Sequence, residues 1–409
     1  MTVDSIERFA REISSELKED ILPFWHGLKD PEGGFFGEVL SDGTIVKDAP
    51  RGEILNARII WSFAAAYSFF GLQKYLSAAL HARDWFVENI CDQVYGGVFW
   101  SVSADGVPLD TKKQLYSQAF AIYAFSELYK VTSSDEDLAV ATGLFRIVEE
   151  RFADSANGGY AEALSRDFLP LEDMSLSAHD INADKTMNSH LHLLEAYANL
   201  YQVWPDPSLK RALTDLIHLM CERITGPDGH LNLYFDPDWT VLPGAVSFGH
   251  DIETSWLLLE CAMATGDTSV VEYVRTYSRV LGRAGNEGLL PDGSMAYELL
   301  PDGSLDRSRQ WWVQAETVVG NLWLWKYHSD PEGLPRAIAC WNWIKEHLIA
   351  AEPAQGAEKL AGEWYWGTMA DGVTPDLESP KAGFWKCPYH NTRMCLEVLK
   401  HIPFEADFD

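Results

Sequence analysis

Basic residues are scarce in this sequence, which has 32 lysines and arginines against 61 aspartates and glutamates and a formal net charge of −29. An acidic surface repels phosphate groups, and this argues against nucleic acid as a partner. A basic amphipathic segment, on which membrane-surface helices depend, is also missing. We therefore expect neither nucleic acid nor a membrane as a partner, and we attribute the charge to solubility.

Long apolar runs are missing as well. The most apolar stretch, 54–72, is interrupted by Asn56, Arg58 and Ser62, which argues against a membrane span. The first 18 residues carry acidic side chains and lack the basic start and continuous apolar run of a secretory signal. These absences favour a cytoplasmic protein.

Metal and cofactor motifs are absent too. The sequence contains no CxxC pair, no HExxH, no zinc-type spacing, no P-loop and no strand-to-helix GxGxxG. His190 and His192 are two positions apart and diverge on a helix, so they do not form a chelate. We predict no metal and no cofactor. The scattered cysteines are typical of reduced, buried thiols in a cytosolic protein: Cys91, Cys221, Cys261, Cys340, Cys387 and Cys395.

A short phrase recurs along the chain, in which glycine is followed by an aromatic or apolar run and often by Asp-Gly. Its copies lie at 33–36, 96–100, 158–160, 228–231, 292–297 and 362–366. Successive copies are roughly 60–70 residues apart, a period that indicates a repeated supersecondary unit. Each copy predicts a small β-hairpin or tight loop.

Two helical segments separate consecutive copies of this phrase. The segments before the loops have charged faces, and we place them at 5–24, 74–90, 136–152, 208–224, 269–284 and 333–349. The segments after the loops are apolar nearly all round, as buried helices are, and we place them at 53–70, 114–131, 186–203, 251–265, 310–327 and 390–401. The pattern predicts six outer and six inner helices.

Six helical hairpins can close on themselves or stack as an open solenoid. A solenoid needs polar capping repeats at its ends, and the sequence shows none. We therefore predict an all-α fold, an (α/α)6 barrel with short β-hairpin loops, as a single catalytic domain over 1–409.

Polar residues stand near the start of every predicted inner helix. They are Arg58 in the first, Tyr116 in the second, Asn188 and His192 in the third, His250 and Glu253 in the fourth, Trp312 and Glu316 in the fifth, and His390 in the sixth. Helices that enter a barrel in the same sense bring these ends to one rim. Buried polar groups are costly unless they are paired or functional, so this rim predicts a binding cavity. His190 faces elsewhere and is the structural histidine.

Four segments resemble the N-acylglucosamine 2-epimerase superfamily, and within it the cellobiose 2-epimerases. They are 185–192, 249–253, 311–316 and 385–390. The resemblance covers essentially the whole chain. It implies the barrel fold, and it implies an isomerase that converts the reducing-end glucose of a β-1,4-linked disaccharide to mannose. Cellobiose would give glucosyl-mannose, and lactose would give epilactose. It also implies that the site contains Arg58, Tyr116, Asn188, His192, His250, Glu253, Trp312, Trp385 and His390.

Epimerisation at C2 requires ring opening, removal of a proton beside the carbonyl, an enediolate and return of a proton from the other face. Imidazoles titrate near neutral pH and suit both transfers, so we assign them to His250 and His390. His192 is assigned to ring opening and Arg58 to the enediolate oxygen. Glu253 is expected to hold His250 or bind a hydroxyl, or else to be a buried partner of Arg58.

Aromatic faces at the rim are expected to pack on the sugar, chiefly those of Trp312 and Trp385, with Trp366 in the last loop as a third. Tyr116, Asn188 and Glu316 complete the predicted binding set. The partner is thus a small disaccharide and the protein a monomer.

Two other activities remain open from the sequence. The same residues would serve a free-monosaccharide 2-epimerase or an aldose–ketose isomerase. A glycoside hydrolase would need two carboxylates across a cleft, for which Glu253 and Glu316 are available, but it would leave three histidines unexplained.

Overall fold

Paired helices make up most of the molecule in the computed structural model, which describes residues 3–177, 180–349 and 360–402. In chain order they are α1 (Val3–Ser15), α2 (Leu22–Gly27), α3 (Glu53–Phe70), α4 (Gln73–Asn89), α5 (Leu115–Thr132), α6 (Asp135–Ile147), α7 (Met187–Val203), α8 (Pro207–Leu219), α9 (Phe248–Ala264), α10 (Thr268–Gly285), α11 (Trp311–His328), α12 (Gly333–His347) and α13 (Tyr389–His401). π-Helical segments follow α1, α6 and α8 at Glu16–Ile21, Val148–Phe152 and Met220–Ile224, and a 3-10 turn, Asn286–Gly288, follows α10.

Six of these helices form a closed inner ring. Along the series α3, α5, α7, α9, α11 and α13, each helix packs against the next, and α13 in turn packs against α3. The helices α4, α6, α8, α10, α12 and α1 pack outside them, one against each. The ring is closed because its last helix contacts its first, as the predicted (α/α)6 barrel requires and an open solenoid does not.

The inner helices are apolar because they are covered on every side. The core includes the fully buried aromatic side chains of Phe63, Tyr197, Trp256 and Tyr389, whose burial contributes about 1.5–3 kcal/mol each for a side chain of phenylalanine size. The outer helices α1, α8 and α10 bury one stripe and expose the other, as amphipathic helices do.

Most predicted helix limits are right to within a few residues, but the fourth inner helix begins at Phe248 rather than at 251. Gly249 therefore lies within the first turn of α9, where a Cβ would stand 2.7 Å from the Trp312 ring, so this position accepts only glycine. This glycine provides close packing between α9 and α11, and His250 consequently lies in the first turn of α9.

Short antiparallel strands border the end of the barrel at which the inner helices begin. Their bounds are Glu38–Val39, Ile45–Val46, Arg51–Gly52, Ser101–Val102, Pro108–Asp110, Lys113–Gln114, Ala163–Leu164, Lys185–Thr186, Tyr234–Phe235, Val246–Ser247, Glu298–Leu299, Leu305–Asp306, Arg309–Gln310 and Gly367–Thr368. The strand directly before an inner helix pairs with the loop of the following hairpin, as Lys185–Thr186 does with Tyr234–Phe235. A bridge from Val39 to Ala382 joins the first loop to the last.

A buried ion pair recurs beneath these strands. The basic residue of the strand pairs with an aspartate in the preceding loop, as Lys113 Nζ does with Asp92 Oδ2 at 3.0 Å and Lys185 Nζ with Asp154 Oδ2 at 2.7 Å. Arg51 with Asp30 and Arg309 with Asp292 repeat the pattern. The pairs fix each loop to the start of an inner helix.

None of the helices among the described residues is both long and apolar enough to cross a membrane. The six cysteines are free thiols, five of them buried and Cys91 partly so, which agrees with the expectation of reduced thiols.

Candidate active site

A cavity of about 270 Å³ opens at the N-terminal ends of the inner helices. Its lining includes all but one of the predicted site residues: Arg58, Tyr116, Asn188, His192, His250, Glu253, Trp312, Trp366, Trp385 and His390. Helix N-termini carry partial positive charge. The inner helices therefore favour an anion in this cavity and oppose a proton on imidazoles near their first turns.

Six residues occupy equivalent places one turn below the helix starts. They are the sixth residues of α3, α5, α7, α9 and α11, together with the fifth of α13, namely Arg58, Phe120, His192, Glu253, Glu316 and Arg393. Because the hairpins are repeats, these positions lie at one level around the barrel. Five of the six carry ionisable side chains. Arg58, His192 and Glu253 form the floor of the cavity at this level, whereas Phe120, Glu316 and Arg393 do not line it.

Arg58 lies in this floor with no carboxylate within ion-pairing distance among residues 3–177, 180–349 and 360–402. Its Nη2 donates to Tyr116 Oη at 2.7 Å, and its Nε has no protein partner in the same ranges. Its guanidinium carbon lies 4.1 Å from the centre of the Phe120 ring and 4.8 Å from that of Tyr389. A buried cation faced by aromatic rings keeps its charge available for an anion formed in the cavity.

His192 is oriented by a carboxylate on its own helix. Its Nδ1 lies 3.1 Å from Glu195 Oε2. Burial opposes ionisation of Glu195, but Arg393 and His192 outweigh this and lower its pKa to about 2. The ionised carboxylate accepts the Nδ1 hydrogen, and the unprotonated Nε2 is the nitrogen that remains for chemistry in the cavity.

His390 has the same arrangement with a carboxylate from the neighbouring helix. Its Nδ1 lies 2.7 Å from Glu316 Oε1. Glu316 also accepts from Trp256 Nε1 at 3.0 Å and from Arg393 Nη2 at 2.7 Å. Three donors around one carboxyl group are the pattern of an ionised carboxylate, so Nδ1 of His390 carries the hydrogen and Nε2 is free to act as a base.

His250 is held by a hydroxyl group rather than a carboxylate. Its Nδ1 lies 2.8 Å from Oγ of Ser247, the residue before α9, and its ring centre lies 4.7 Å from that of Trp312. The Trp312 ring also lies 5.8 Å from His390. His250 on α9 and His390 on α13 therefore approach the cavity from the two helices that flank α11.

All three imidazoles are neutral at pH 7. Burial lowers the pKa of His250 to about 3, with a further contribution from His192. Burial, followed by the charges of Arg58 and Arg393, holds the pKa of His390 well below its ordinary value. Burial also lowers the pKa of His192, against the attraction of Glu195. Each imidazole is therefore available to accept a proton.

Glu253 shares Arg393 with Glu316, and burial raises the pKa of both carboxyl groups. For Glu253, burial and the charge of Glu316 raise the pKa to about 8. Its Oε1 accepts from Arg393 Nη2 at 2.6 Å and lies 3.9 Å from His390 Nδ1. The carboxyl group is therefore mostly protonated at neutral pH.

Two predicted roles need correction. Glu316 was expected to bind substrate, but its side chain is fully buried beneath His390 and does not line the cavity. Glu253 was expected to hold His250, to bind a sugar hydroxyl or to pair with Arg58. It contacts Arg393 and His390 instead of His250 and Arg58, and Ser247 takes the place beside Nδ1 of His250. Glu253 does line the cavity, so a contact with a sugar hydroxyl stays a prediction.

Aromatic side chains form the walls of the cavity. The Trp385 ring lies 6.0 Å from that of Tyr116. Trp366 donates from Nε1 to Gln310 Oε1 at 2.9 Å, which fixes the last loop at the cavity mouth. These surfaces suit the apolar faces of a sugar ring.

Three residues behind the histidines were not predicted from the sequence as part of the site: Glu195, Tyr389 and Arg393. Glu195 and Arg393 each follow a predicted histidine by three positions, which places them on the same helix face, and this spacing could have found them. Tyr389 donates to Glu195 at 2.6 Å.

Residues from the loops complete the mouth, and no repeat signal marks them. Asp180 accepts from Tyr234 Oη at 3.0 Å, and both line the cavity with Tyr297 and Glu298. Burial and nearby Asp306 raise the pKa of Glu298 to about 7.

His190 lies away from the cavity, as predicted. Its Nδ1 is 2.7 Å from the Thr186 carbonyl oxygen, and its Nε2 accepts from the Tyr160 backbone N–H at 3.1 Å. Gln118 and Gln314 make the equivalent contact with the loop backbone in their own repeats. His190 is therefore the third repeat's version of a structural position.

Three potential metal ligands meet in the floor. One atom each of Glu253, Glu316 and His390 lie within 4.8 Å of one another. Arg393 Nη2 donates to both carboxyl groups at 2.6 and 2.7 Å. The guanidinium supplies the positive charge that this cluster requires.

The barrel and its cavity belong to a known family. The model of the N-acylglucosamine 2-epimerase (GlcNAc 2-epimerase) family matches residues 34–392. The chain is a member of this family.

Full-length relatives narrow the comparison. The cellobiose 2-epimerase of Bacteroides fragilis is 44% identical, with 96% of this chain and 99% of that protein covered. The solved structure of cellobiose 2-epimerase from Bacillus thermoamylovorans superposes with a TM-score of 0.91 at 37% identity, covering 96% of this chain and 99% of that one. The D-mannose isomerase of Marinomonas mediterranea is more distant, at 22% identity with 95% of this chain and 97% of that protein covered.

Proposed function

We propose that this protein is a cofactor-independent isomerase that epimerises C2 of the reducing-end glucose in β-1,4-linked disaccharides. Cellobiose would give glucosyl-mannose and lactose would give epilactose. The observation that carries the proposal is a cavity that joins three neutral imidazoles to the uncompensated cation of Arg58. The similarity to cellobiose 2-epimerases supports the choice of substrate.

The reaction begins with ring opening by His192. Its unprotonated Nε2 removes the proton of the C1 hydroxyl as the bond from C1 to the ring oxygen breaks, and the imidazolium so formed gives that proton to the ring oxygen. The product is an open-chain aldehyde. Glu195 holds the imidazole in the tautomer that this step requires.

Proton transfer at C2 follows. The Nε2 of His390 or of His250 takes the C2 proton, the pair of electrons from the C2–H bond forms the C1=C2 double bond, and the aldehyde oxygen becomes anionic. The other histidine, which takes up a proton from water during the reaction, returns it to the opposite face of C2 as the C1 carbonyl re-forms, and the first histidine releases its proton to water. The two side chains approach from the helices on either side of α11, which suits inversion.

Arg58 stabilises the enediolate oxygen. The cation is already in place and lacks a carboxylate partner among the described residues, so no ion pair with the protein neutralises its charge. Preorganised charge of this kind acts on the transition state without reorganisation. Protonation of the same enediolate at C1 would give a ketose side product.

Binding falls to the walls and mouth of the cavity. We assign the reducing-end ring to Trp312, Trp385, Tyr116 and Asn188, and we assign Trp366 to the wall beside it. The Asn188 Oδ1 has no hydrogen-bond partner in the described part of the chain, which leaves it for a sugar hydroxyl.

We further propose that the chain acts as a monomeric cytoplasmic enzyme with one catalytic domain over 1–409. The range includes 178–179, 350–359 and both ends, which lie outside the described residues. Free thiols support a reducing compartment. The distribution of site residues over all six inner helices supports a single catalytic unit.

The hydrolase alternative is weaker in the structure than in the sequence. Glu253 and Glu316 both accept from the same Arg393 nitrogen, at 2.6 and 2.7 Å, so they do not flank a cleft. Glycoside hydrolysis needs the scissile bond between its two carboxyl groups.

One incubation tests the proposal. Cellobiose is incubated with the protein in D2O containing a chelator, and the products are analysed by NMR. Glucosyl-mannose with deuterium at C2 is the expected result. Unchanged cellobiose together with turnover of mannose would replace the proposal with a monosaccharide isomerase, and release of glucose would replace it with a hydrolase.

A further inference from the structure

One guanidinium lies behind two of the three histidines. Arg393 Nη1 donates to Glu195 Oε1 at 2.5 Å, and Nη2 donates to Glu316 Oε1 at 2.7 Å. Glu195 holds His192, and Glu316 holds His390. The two carboxylates that orient the imidazoles are therefore two ligands of a single cation.

Arg393 does not line the sugar cavity. It is buried, and it borders instead a second cavity of about 300 Å³ at the opposite end of the barrel, together with Glu195. Any effect of this side chain on catalysis must act through the residues that it holds. Its Nη1 also donates to Tyr389 Oη, which donates to Glu195.

We propose that Arg393 is a positioning residue that couples His192 to His390 through Glu195 and Glu316, so that a proton on one imidazole opposes a proton on the other. The two histidines then act one after the other, in ring opening and at C2. This order rests on the proposed function, whereas the coupling itself does not.

The coupling has a simple electrostatic origin. A proton on His390 strengthens the hydrogen bond from His390 to Glu316. Glu316 then binds Arg393 less strongly, and Arg393 interacts more strongly with Glu195. Glu195 is left with less negative charge for His192. Direct repulsion between the two imidazolium groups acts in the same direction.

The other ionisable groups around the two imidazoles come from the remaining elements of the ring. They are Arg58 on α3, Tyr116 on α5, His250 and Glu253 on α9, Tyr389 on α13 and Cys387 directly before it. Glu253 is the only further carboxyl group that Arg393 contacts among the described residues. Burial raises the pKa of both Glu253 and Glu316, and the three donors on Glu316 favour the proton on Glu253. Glu195 and Glu316 are then the ionised carboxylates that divide the cation.

The test follows the Nδ1–H resonances of both histidines in the ligand-free, 15N-labelled protein at pH 7. Glu316→Gln removes the partner of His390 directly. We expect it to move the Nδ1–H resonance of His192 as well, although it leaves Glu195 intact. In an Arg393→Lys background, where one ammonium cannot bridge both carboxylates, the same substitution should move the His390 resonance alone.

Two results would overturn the coupling. One is a His192 Nδ1–H resonance that does not move in Glu316→Gln, and the other is a shift of the His192 resonance that is equally large when Glu316→Gln is made in the Arg393→Lys background. Absence of both Nδ1–H resonances from the wild type would overturn the positioning itself. Arg51→Lys is the matched control, because Arg51 is also buried in an ion pair but lies in the strand before α3, where its partner is Asp30. It should leave both resonances unchanged.

A kinetic measurement provides a second readout. Anomerisation of cellobiose reports ring opening, and deuterium incorporation reports exchange at C2. Arg393→Lys should lower both by the same factor, about 10–100-fold, whereas a loss in one step alone would contradict the coupling. A wild type without activity on cellobiose would overturn the proposed function and leave the NMR test intact.

Discussion

Replacement of Arg58 by methionine separates the catalytic effect of its charge from its contribution to stability. Methionine keeps much of the side-chain length and removes the cation from the cavity floor. The enediolate would lose its principal donor, and loss of one such donor typically raises the barrier by about 2.7–4 kcal/mol. We therefore expect kcat on cellobiose to fall by about 10²–10³-fold.

The stability of the fold should change far less. Burial of a charge costs several kcal/mol, and the desolvated faces of Phe120 and Tyr389, at 4.1 and 4.8 Å, return about 2 kcal/mol each. The two contributions nearly cancel, because no carboxylate lies within ion-pairing distance of Arg58 among the described residues, although buried Glu53 loses the more distant stabilisation that Arg58 gives its ionised form. We expect the free energy of unfolding to change by less than about 1 kcal/mol.

Steady-state kinetics and urea unfolding of the same preparation measure both quantities. Arg58→Lys is the matched variant, since it keeps the charge but cannot hold Tyr116 with a planar fork, and it should retain intermediate activity. Unchanged kcat, or a loss confined to KM, would refute the assignment of Arg58 to the enediolate.

Three further outcomes are expected. His250→Ala and His390→Ala should each lower kcat by about 10³-fold or more with the fold intact by circular dichroism, and wild-type turnover in either would refute its acid–base role. Trp366→Ala should raise KM for cellobiose about 5-fold with little change in kcat, because it removes roughly 1 kcal/mol of stacking at the mouth; a fall in kcat alone would place Trp366 elsewhere in the mechanism. An unfolded histidine titrates at about 6.5, and burial lowers the pKa of His250 to about 3, so its contribution to stability is complete above about 6.5 and is lost as the pH falls from there towards 3. Buried glutamates with raised pKa values, such as Glu253 and Glu298, act in the opposite direction. Urea unfolding at pH 7 and pH 5 should therefore show a less favourable change on going to pH 5 in the wild type than in His250→Ala, and an equal change in both would contradict a neutral buried imidazole.

Sequence periodicity was sufficient for the barrel because each repeat carries the same signals. Apolar character on all sides marked the inner helices, and glycine-rich loops marked the turns between hairpins. The error at the start of α9 shows the limit of such signals. Glycine is common in loops, but Gly249 lies in a helix, where its lack of a side chain leaves room for the Trp312 ring.

The residues that face the cavity were also predictable, because a polar side chain at the start of a buried helix has few uses apart from function. The carboxylates behind the histidines were harder to place. Glu316 and Glu253 occupy the same position in their repeats as Arg58 does in the first. The sequence alone does not reveal that both bind the guanidinium of Arg393. Arg393 was missed because its partners come from three other inner helices.

Closure of the ring has a consequence for how the enzyme is made. The last inner helix, α13, is synthesised after the other five, and it brings His390 and Arg393 to a level of side chains that the earlier helices have left incomplete. It packs against α1 and α3, while α12 contacts α1 through Trp341 and Lys345, both bonded to Glu12 at 3.0 and 2.6 Å. The site is therefore completed only when the last inner helix packs against the first.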